Sequence, residues 1–501
     1  MIPHDHQPQS TGLPSTDPFD DDRFHEECAV FGIWGHDQAA RLTALGLHAL
    51  QHRGQEACGI CAFDGDQFHV HRALGLVGDV FGKGKADTGS PDPIARLSGR
   101  SAIGHTRYAT SGRTVLRNIQ PLWTDLDETG GFALAHNGNL TNARKLKSEL
   151  RSEGRRFQST SDTEVILDLV ARSRETRLVH RVVDALSRVI GAYSLVALSR
   201  KKLVGVRDPA GVRPLVLGRL DGAWILCSET CGLDIIGASY VRDIEPGELV
   251  VIDEDGLQSY RPFAAKPRHF CIFEYIYFSR PDSHVEGRDV YSIRRAIGRE
   301  LAREMEVDAD IVVPVPDSGT PAAVGYAQAS GIPFELAITR NQYTGRTFIE
   351  PDQERRDIAV RRKLNANRDL MRGKRVILVD DSIVRGTTSK RIVRMVREAG
   401  AREVHLRIAS PPTKGPCFYG VDTPSRAELI VNQYDSLEQV AREIGVDSLA
   451  YLSIEGMYRA VGDSEAGYCD ACFTGNYPIP LVDSPDQPAE SRLPLFDEAH
   501  L

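Results

Sequence analysis

Long hydrophobic runs are missing from this sequence of 501 residues, and none approaches the roughly 20 apolar residues that a membrane-spanning helix needs. Its first residues have neither the basic start nor the apolar middle of a secretory signal. Excess basic charge is missing too, because the net charge is −8 and is spread along the chain. We therefore expect a cytoplasmic protein that binds neither membranes nor nucleic acids.

Cysteine is sparse, with nine residues in the whole chain, and no extracellular disulfide framework is indicated. In a reducing compartment such thiols serve as metal ligands or nucleophiles more often than as disulfides. The chain is too long for one hydrophobic core, so at least two domains are expected. Its composition changes at both ends: proline and acidic residues are frequent over 1–27, and Pro, Asp, Glu and Ser dominate after Pro480. We expect a separate leader and a poorly ordered tail over 481–501.

The most informative motif is VILVDDSIVRGTT, from Val376 to Thr388. Its apolar start predicts a strand buried on both faces of a parallel sheet, and helical spacing follows. Asp380 and Asp381 therefore end a strand, where open α/β sheets bind ligands and where carboxylates can accept from vicinal hydroxyls or lie beside Mg²⁺. Gly386 lets the backbone approach a ligand closely, and the free N–H groups at the start of the next helix attract a phosphate. The alternative is a surface turn with a solvated acid pair.

A second strand and loop, ending in PDSGTPAA at residues 316–323, predicts a doubly wound parallel α/β sheet. Both loops resemble those of the type I phosphoribosyltransferases, which bind phosphoribosyl pyrophosphate (PRPP). The resemblance implies Mg²⁺ beside Ser318, Asp380 and Asp381. It implies these substrate-binding residues: Asp317, Ser318, Gly319, Asp380, Asp381, Arg385, Gly386, Thr387 and Thr388. The polar, basic segment 339–356 is expected to close over a charged substrate, or to be an ordinary solvated loop.

The amino-terminal half has short predicted strands, beginning with AVFGIW at 29–34, separated by Gly-rich turns and helical segments. This pattern predicts stacked sheets covered by helices. Cys28 precedes the first strand, directly after the leader. A cut between Glu27 and Cys28 would give one residue both a thiol nucleophile and an α-amine that can relay its proton. An inert, half-buried thiol is the alternative.

Three polar motifs follow in the chain, GHTRYATSG, HNGNL and STSDTE. Arg107 in the first can bind a carboxylate through two parallel hydrogen bonds. The Asn137 amide and the Gly138 N–H in the second are paired donors for an oxyanion. Asp162 in the third can receive an ammonium group. Taken singly, the motifs also fit a surface ion pair, a hairpin turn and a helix N-cap.

With LQHRGQEACGI at residues 50–60, this order of motifs resembles the class II glutamine amidotransferases, which have an N-terminal nucleophile. The resemblance implies an α+β fold of stacked sheets in four αββα layers, and a leader that is a propeptide removed autocatalytically. It implies the following roles: Cys28 attacks the glutamine amide to form a thioester, Asn137 and Gly138 hold the oxyanion, Arg107 binds the α-carboxylate, and Asp162 binds the α-ammonium.

The two resemblances together imply an enzyme in which ammonia released from glutamine displaces pyrophosphate at C1 of PRPP. The product would be 5-phosphoribosylamine, in the first committed step of purine synthesis. The implied domains are a propeptide (1–27), an amidotransferase domain (28–262), a phosphoribosyltransferase domain with a C-terminal cluster-binding segment (263–480), and a tail (481–501). A homo-oligomer, dimer or tetramer, and inhibition by purine nucleotides are implied too. Residues 361–363, Arg-Arg-Lys, are candidate phosphate contacts or a solvated face.

Two rival functions fit parts of the sequence. A PRPP-sensing purine regulator would share the transferase fold, but it would carry a basic DNA-reading helix, and none is evident. Another class II amidotransferase, passing ammonia to a sugar phosphate through an isomerase domain, would share the first half. The PRPP loop argues against it.

The remaining cysteines divide into two groups. Cys469 and Cys472 form a C-x-x-C pair and, with Cys417 and Cys271, suit either Zn²⁺ or an iron–sulfur cluster. One branch of the amidotransferase family holds a [4Fe–4S] cluster through cysteines at corresponding places, so that resemblance implies the cluster. Four others are expected to pack structurally: Cys58, Cys61, Cys227 and Cys231.

Overall fold

The structure, a computed structural model, describes residues 28–82, 92–107, 115–126, 130–341, 364–462 and 467–483. Within these ranges, no helix combines the length and the apolar character required to cross a lipid bilayer. The chain forms an amino-terminal half of stacked antiparallel sheets and a carboxyl-terminal half around a parallel sheet.

Thirteen strands of the described chain build the amino-terminal half. They are β1 (Cys28–Trp34), β2 (Ala57–Phe63), β3 (Phe68–Leu74), β4 (Ser101–Arg107), β5 (Leu122–Leu126), β6 (Gly130–Leu140), β7 (Gly191–Ser199), β8 (Leu203–Arg207), β9 (Val216–Leu220), β10 (Ala223–Cys227), β11 (Ser239–Asp243), β12 (Leu249–Asp253) and β13 (Gly256–Tyr260). One sheet has the order β11-β9-β10-β1-β4-β2-β3, and the other has β13-β12-β8-β7-β6-β5.

The two sheets pack face to face because their strands are apolar on both sides. In β1, Val30 points into the core between the sheets, whereas Phe31 packs under the helices of the outer layer. The helices that cover the first sheet are α1 (Ala39–Ala49), α2 (Val77–Phe81) and α6 (Cys231–Asp234). Those covering the second are α3 (Ala143–Ser152), α4 (Thr163–Arg172) and α5 (Leu178–Arg188). The four-layer αββα prediction is confirmed.

The carboxyl-terminal half contains β14 (Phe270–Cys271), β15 (His284–Val285), β16 (Arg288–Asp289), β17 (Ile311–Pro314), β18 (Ile338–Arg340), β19 (Leu364–Ala366), β20 (Arg375–Asp380), β21 (Glu403–Ile408), β22 (Ser448–Tyr451) and β23 (Tyr468–Cys469). Its helices are α7 (Val290–Glu304), α8 (Thr320–Ser330), α9 (Arg368–Met371), α10 (Thr387–Glu398), α11 (Leu437–Ile444), α12 (Ile454–Val461) and α13 (Ala471–Thr474).

The central sheet of this half is parallel, with the order β17-β20-β21-β22. Alternate residues of β20 face opposite cores: Ile377 packs with α7 and α8, whereas Leu378 packs with α10 and α11. Helices therefore cover both faces, which confirms the predicted doubly wound sheet. This arrangement places the ends of β17 and β20 side by side, because Pro314 pairs with Val379.

Candidate functional site

Cys28 and Arg107 are direct partners across the first sheet, at the end where β1 begins and β4 finishes. The Cys28 side chain is buried, and Arg107 is 5% exposed. The guanidinium is oriented by the carbonyl oxygen of Asn118, to which Nη1 donates at 3.1 Å, while Nε has no hydrogen-bond partner among the described residues. The thiol and a guanidinium with unused donor capacity thus lie at one sheet end.

Asn137 and Gly138 lie in β6 of the facing sheet. The Asn137 side chain is fully buried, and within the described ranges neither its amide nitrogen nor its oxygen has a hydrogen-bond partner. Gly138 has φ +143°, and a Cβ there would lie 2.1 Å from the carbonyl oxygen of Ala192, so no larger residue fits. A buried amide without a partner is costly, and such groups concentrate at functional sites.

His105 joins the two sheets beside this pair. Its Nε2 lies 3.2 Å from the carbonyl oxygen of His136, the residue before Asn137. Burial, aided by nearby Arg107, lowers the pKa of His105 to about 3, so the ring is neutral at physiological pH. A neutral ring has one N–H, and donation from Nε2 fixes the tautomer. This bond ties β4 to β6 within two residues of both Arg107 and Asn137.

Asp162 precedes α4 but does not cap it with its side chain. Its Oδ2 instead accepts from the Leu140 N–H at 3.0 Å and lies 3.8 Å from His136 Nδ1. The carboxylate therefore sits against the end of β6, close to the Asn137–Gly138 pair. Glu164 orders the loop before it by accepting from the N–H groups of Gln158 and Ser159, at 2.7 and 2.6 Å.

Two amide side chains that the sequence reading missed hold this site together. Asn118 exchanges two hydrogen bonds with Thr160, in addition to orienting Arg107. Gln120 accepts from the His136 N–H at 2.7 Å and donates to Thr163 at 3.0 Å. The only sequence signal was a pair of amides in a short segment, NIQ, without helical or strand periodicity.

In the carboxyl-terminal half, the two predicted PRPP-binding loops touch each other. A Cβ on Gly319 would lie 2.3 Å from the carbonyl oxygen of Val379, and the Val315 N–H donates to that same oxygen at 2.9 Å. Ser318 Oγ is buried and has no hydrogen-bond partner in the described part of the chain. Asp317 is exposed and pairs with Arg340 at 2.8 Å. Both loops therefore belong to one site.

Asp380 and Asp381 end β20 and are each 6% exposed. The Asp381 N–H donates to Asp380 Oδ1 at 2.9 Å, and Ser382 Oγ donates to Asp381 Oδ1 at 2.5 Å. Further along this loop, Gly386 has φ +80° and is the N-cap residue of α10. Thr387 and Thr388 are the first two residues of that helix. The loop is braced from outside, since Arg385 pairs with Glu428 at 2.9 Å.

Several predicted features lie outside the described residues. They are the leader 1–27, most of segment 339–356, the basic residues Arg361, Arg362 and Lys363, and residues 484–501 of the tail. The described chain does continue past Pro480, to Asp483, which accepts from the N–H groups of Arg144 and Lys145 at 2.5 and 3.1 Å. The segment that docks on the first half is thus longer than the boundary at residue 480 implied.

The four cysteines of the second half line one small cavity. Pairing of β14 with β23 sets Cys271 directly opposite Cys469. Backbone bonds from Lys414 and Gly415 to the Cys472 carbonyl bring the Cys417 segment alongside. Burial and the three other thiols raise the pKa of Cys472 well above its ordinary value.

The sulfur atoms of these four cysteines suit a positively charged metal ion or cluster. Four thiolates buried together need positive charge between them, and sulfur is the ligand that iron–sulfur clusters and zinc use. The Tyr419 N–H donates to Cys417 Sγ at 3.3 Å, a type of contact that tunes such sulfurs. Among the described residues, no group of three or more His, Cys, Asp or Glu residues is arranged to hold a metal ion.

The other cysteines are structural, as expected. Cys58 and Cys61 are both in β2, but one packs under the helices and the other between the sheets, so they cannot share a ligand. Burial raises the pKa of each to about 12. Cys227, which ends β10, and Cys231, which begins α6, are buried between the first sheet and its outer helices.

Two family models match the chain. One, described as a glutamine amidotransferase domain, matches residues 105–234, and the other, described as a phosphoribosyl transferase domain, matches residues 290–410. With the αββα sandwich and the doubly wound sheet, they define the class: a glutamine amidotransferase joined to a phosphoribosyltransferase.

Full-length relatives narrow this to one family. The chain is 54% identical over 498 residues to the amidophosphoribosyltransferase of Rhizobium etli, covering 97% of this chain and 99% of that protein. It is 48% identical to the Bacillus subtilis amidophosphoribosyltransferase, covering 91% and 95%. A solved structure, the Bacillus subtilis glutamine PRPP amidotransferase complexed with ADP and GMP, matches with a TM-score of 0.85 at 48% identity, covering 91% of this chain and 98% of that one.

The chain belongs to the amidophosphoribosyltransferase family. It transfers ammonia from glutamine to C1 of PRPP, which yields 5-phosphoribosylamine, pyrophosphate and glutamate in the first step of purine biosynthesis.

Proposed function

We propose that Cys28, freed by removal of residues 1–27, is the nucleophile that releases ammonia from glutamine. The observation that carries this proposal is the direct pairing of Cys28 with Arg107 across β1 and β4. Arg107 anchors the glutamine α-carboxylate, and Asp162 receives the α-ammonium. This places the side-chain amide at the thiol, whose proton passes to its own α-amine as the thioester forms.

Asn137 and Gly138 stabilise the oxyanion of that attack. The support is the buried Asn137 amide, which has no partner among the described residues and is therefore free to donate when charge develops on the substrate oxygen. Hydrogen-bond donors that are already in place need not reorganise during the reaction. They stabilise the transition state more than the bound substrate, and this lowers the activation barrier.

The second site binds PRPP between the two loops at the end of the parallel sheet. Asp380 and Asp381 accept hydrogen bonds from the ribose hydroxyls. The residues that surround the 5-phosphate are Arg385, Gly386, Thr387 and Thr388. The diphosphate is faced by Asp317, Ser318 and Gly319. Mg²⁺ held near Ser318, Asp380 and Asp381 would neutralise the leaving pyrophosphate. The orphaned Ser318 hydroxyl and the two buried carboxylates suit this ion.

Residues 28–262 form the amidotransferase domain and residues 263–480 the phosphoribosyltransferase domain. The tail, 481–501, begins with residues that dock on the first half, since Asp483 bonds the Arg144 and Lys145 N–H groups. Joining the two domains in one chain matters because ammonia that escapes to water is protonated and loses its nucleophilic lone pair. A closed apolar passage between the two sites would keep the ammonia neutral.

The four cysteines, Cys271, Cys417, Cys469 and Cys472, hold a [4Fe–4S] cluster. The support is that all four cysteines line one cavity, because sulfur is the ligand that such clusters use. Purine nucleotides bind as feedback inhibitors, and the relative whose structure contains ADP and GMP supports the binding of nucleotides. The homo-oligomer is proposed from the family resemblance alone.

The test separates the two half-reactions. Cys28→Ala is expected to abolish glutamine-dependent pyrophosphate release and to retain release driven by added ammonia, whereas the control Cys58→Ala retains both. Mass analysis of the active enzyme should find Cys28 at its amino terminus. Active protein that still carries Met1, or glutamine-dependent activity in Cys28→Ala, would overturn the nucleophile assignment.

A further inference from the structure

The end of β6, which carries the proposed oxyanion donors, has a sheet partner on one side only. β7 pairs with β6 from Phe132 to Leu140, but β5 pairs with it only from Gly130 to Leu134. The stretch containing Asn137 and Gly138 therefore has an open edge without a neighbouring strand, where only the Gln120 and Asp162 side chains accept from the described N–H groups, those of His136 and Leu140. Oxyanion donors must be held in place to a fraction of an ångström, and the hydrogen-bond ladder to one neighbouring strand alone does not provide this.

The open edge is supported by the carboxyl-terminal half. Asn139 Nδ2 donates to the carbonyl oxygen of Phe418 at 2.9 Å, a contact between residues 279 positions apart. Thr141, which directly follows the end of β6, makes two more contacts with this half. Its Oγ1 donates to the Pro480 carbonyl at 2.7 Å, and its carbonyl accepts from the Asp483 N–H at 2.7 Å.

We call residues 476–483 the C-terminal strap. It is fastened to the Phe418 segment as well as to β6: the Tyr419 hydroxyl donates to the Ile479 carbonyl at 2.6 Å and lies 3.0 Å from the Ile479 nitrogen, whose N–H donates to it. Tyr477 donates to the Pro416 carbonyl at 2.6 Å. At its far end, Asp483 caps α3, which has no side-chain cap of its own.

We propose that Asn139 is a positioning residue for glutamine hydrolysis, and that the Phe418 carbonyl and the C-terminal strap set the geometry of the oxyanion donors from the other half of the chain. Asn139 touches no substrate; it fixes the backbone on which Asn137 and Gly138 stand. The inference rests on the proposed oxyanion role of those two residues. Misplaced donors weaken the transition state more than the bound substrate, so kcat falls and KM changes little.

The experiment compares glutamine-dependent with ammonia-dependent pyrophosphate release in one preparation of each full-length variant. Asn139→Ala is expected to lower the kcat of the glutamine reaction about tenfold, since small misplacements of catalytic groups cost that much or more. The KM for glutamine should stay within about twofold, and the ammonia reaction should be unchanged. Asn432→Ala is the matched control. Asn432 also donates to backbone carbonyls, those of Lys414 and Arg426, but it has no such hydrogen bond to the described residues of the first half.

Asp483→Ala tests the strap without touching β6's side chains, and a smaller fall in the same kcat, about threefold, is expected. Asn137→Ala is the reference for the oxyanion role. If Asn137→Ala retains the glutamine kcat, the oxyanion assignment itself fails. If Asn137→Ala loses it but Asn139→Ala and Asp483→Ala do not, or if those two lower both reactions in parallel, the positioning role is overturned while the oxyanion assignment stands.

Discussion

Arg53 of the first half and Glu274 of the segment entering the second half form an ion pair in which neither side chain is more than 1% exposed. The same guanidinium contacts Glu229, and Arg213 pairs with Glu274 at 3.1 Å. Burial alone would raise the pKa of Glu274, but Arg53 and Arg213 hold it below its ordinary value. A charged network therefore lies where the two halves join.

Arg53→Met should destabilise the protein strongly, because it leaves two buried carboxylates short of a partner. Removing one member of a buried ion pair costs about 3–5 kcal/mol. Denaturant unfolding of purified protein measures this directly. Arg100→Met is the control, since its pair with Asp37 is exposed and should contribute about 1 kcal/mol or less. Equal losses in the two variants would contradict the network's role.

Gly319→Ala should impair the PRPP half selectively. The new Cβ would collide with the Val379 carbonyl at 2.3 Å, so the pyrophosphate loop must move away from the end of β20. We expect ammonia-dependent pyrophosphate release to fall at least about tenfold, on the scale of misplaced binding groups. Gly78→Ala is the control, since nothing lies within 4 Å of its added methyl group. Unchanged PRPP turnover in Gly319→Ala would show that the contact is dispensable.

Asp422 should make stability depend on pH. Burial, helped by Glu56 and Glu428 and opposed by Arg385, raises the pKa of Asp422 to about 6. The folded state therefore holds this proton more tightly than the unfolded chain, and stability declines as pH rises from about 4 to about 6. Asp422→Asn, which cannot ionise, should be more stable than the parent by about 2 kcal/mol at pH 8.

Denaturant unfolding at a series of pH values checks this sign. The advantage of Asp422→Asn should vanish below about pH 4, where Asp422 is protonated in both states. A variant that is equally stabilised at every pH would point to a packing effect instead.

Cys417→Ser should remove the cluster. The protein purified without air is expected to be brown and to contain iron, and the variant should lose colour and iron together. Cys61→Ser is the control, because that buried thiol lies between the sheets and not at the cavity. A colourless parent protein containing zinc would reject the cluster.

Much of the fold was predictable from local patterns. The β20 strand and the helix after it follow from an apolar run and 3.6-residue spacing, both of which are local properties. The pairing of Cys28 with Arg107 is different, because it depends on the register of two strands far apart in the chain. Resemblance could suggest that both residues serve one site, but no local pattern places them opposite each other.

The supports of the candidate site were harder to predict than its proposed catalytic groups. The side chains of Asn118, Gln120 and Asn139 act through bonds to residues distant in sequence, and polar side chains of this kind look like ordinary loop or strand residues until the fold is known. The proposed oxyanion donors belong to a short motif. The groups that hold them follow only from tertiary packing.

The C-terminal strap also bears on how the protein is made. Asp483 caps α3 across 339 residues of chain, so on the ribosome the first half is synthesised long before the strap that completes it exists. A nascent chain would therefore carry the proposed glutamine-binding residues without the contacts that we propose align the oxyanion donors. Under that proposal, glutamine hydrolysis by such a chain would be slower until the acceptor half has been synthesised as well.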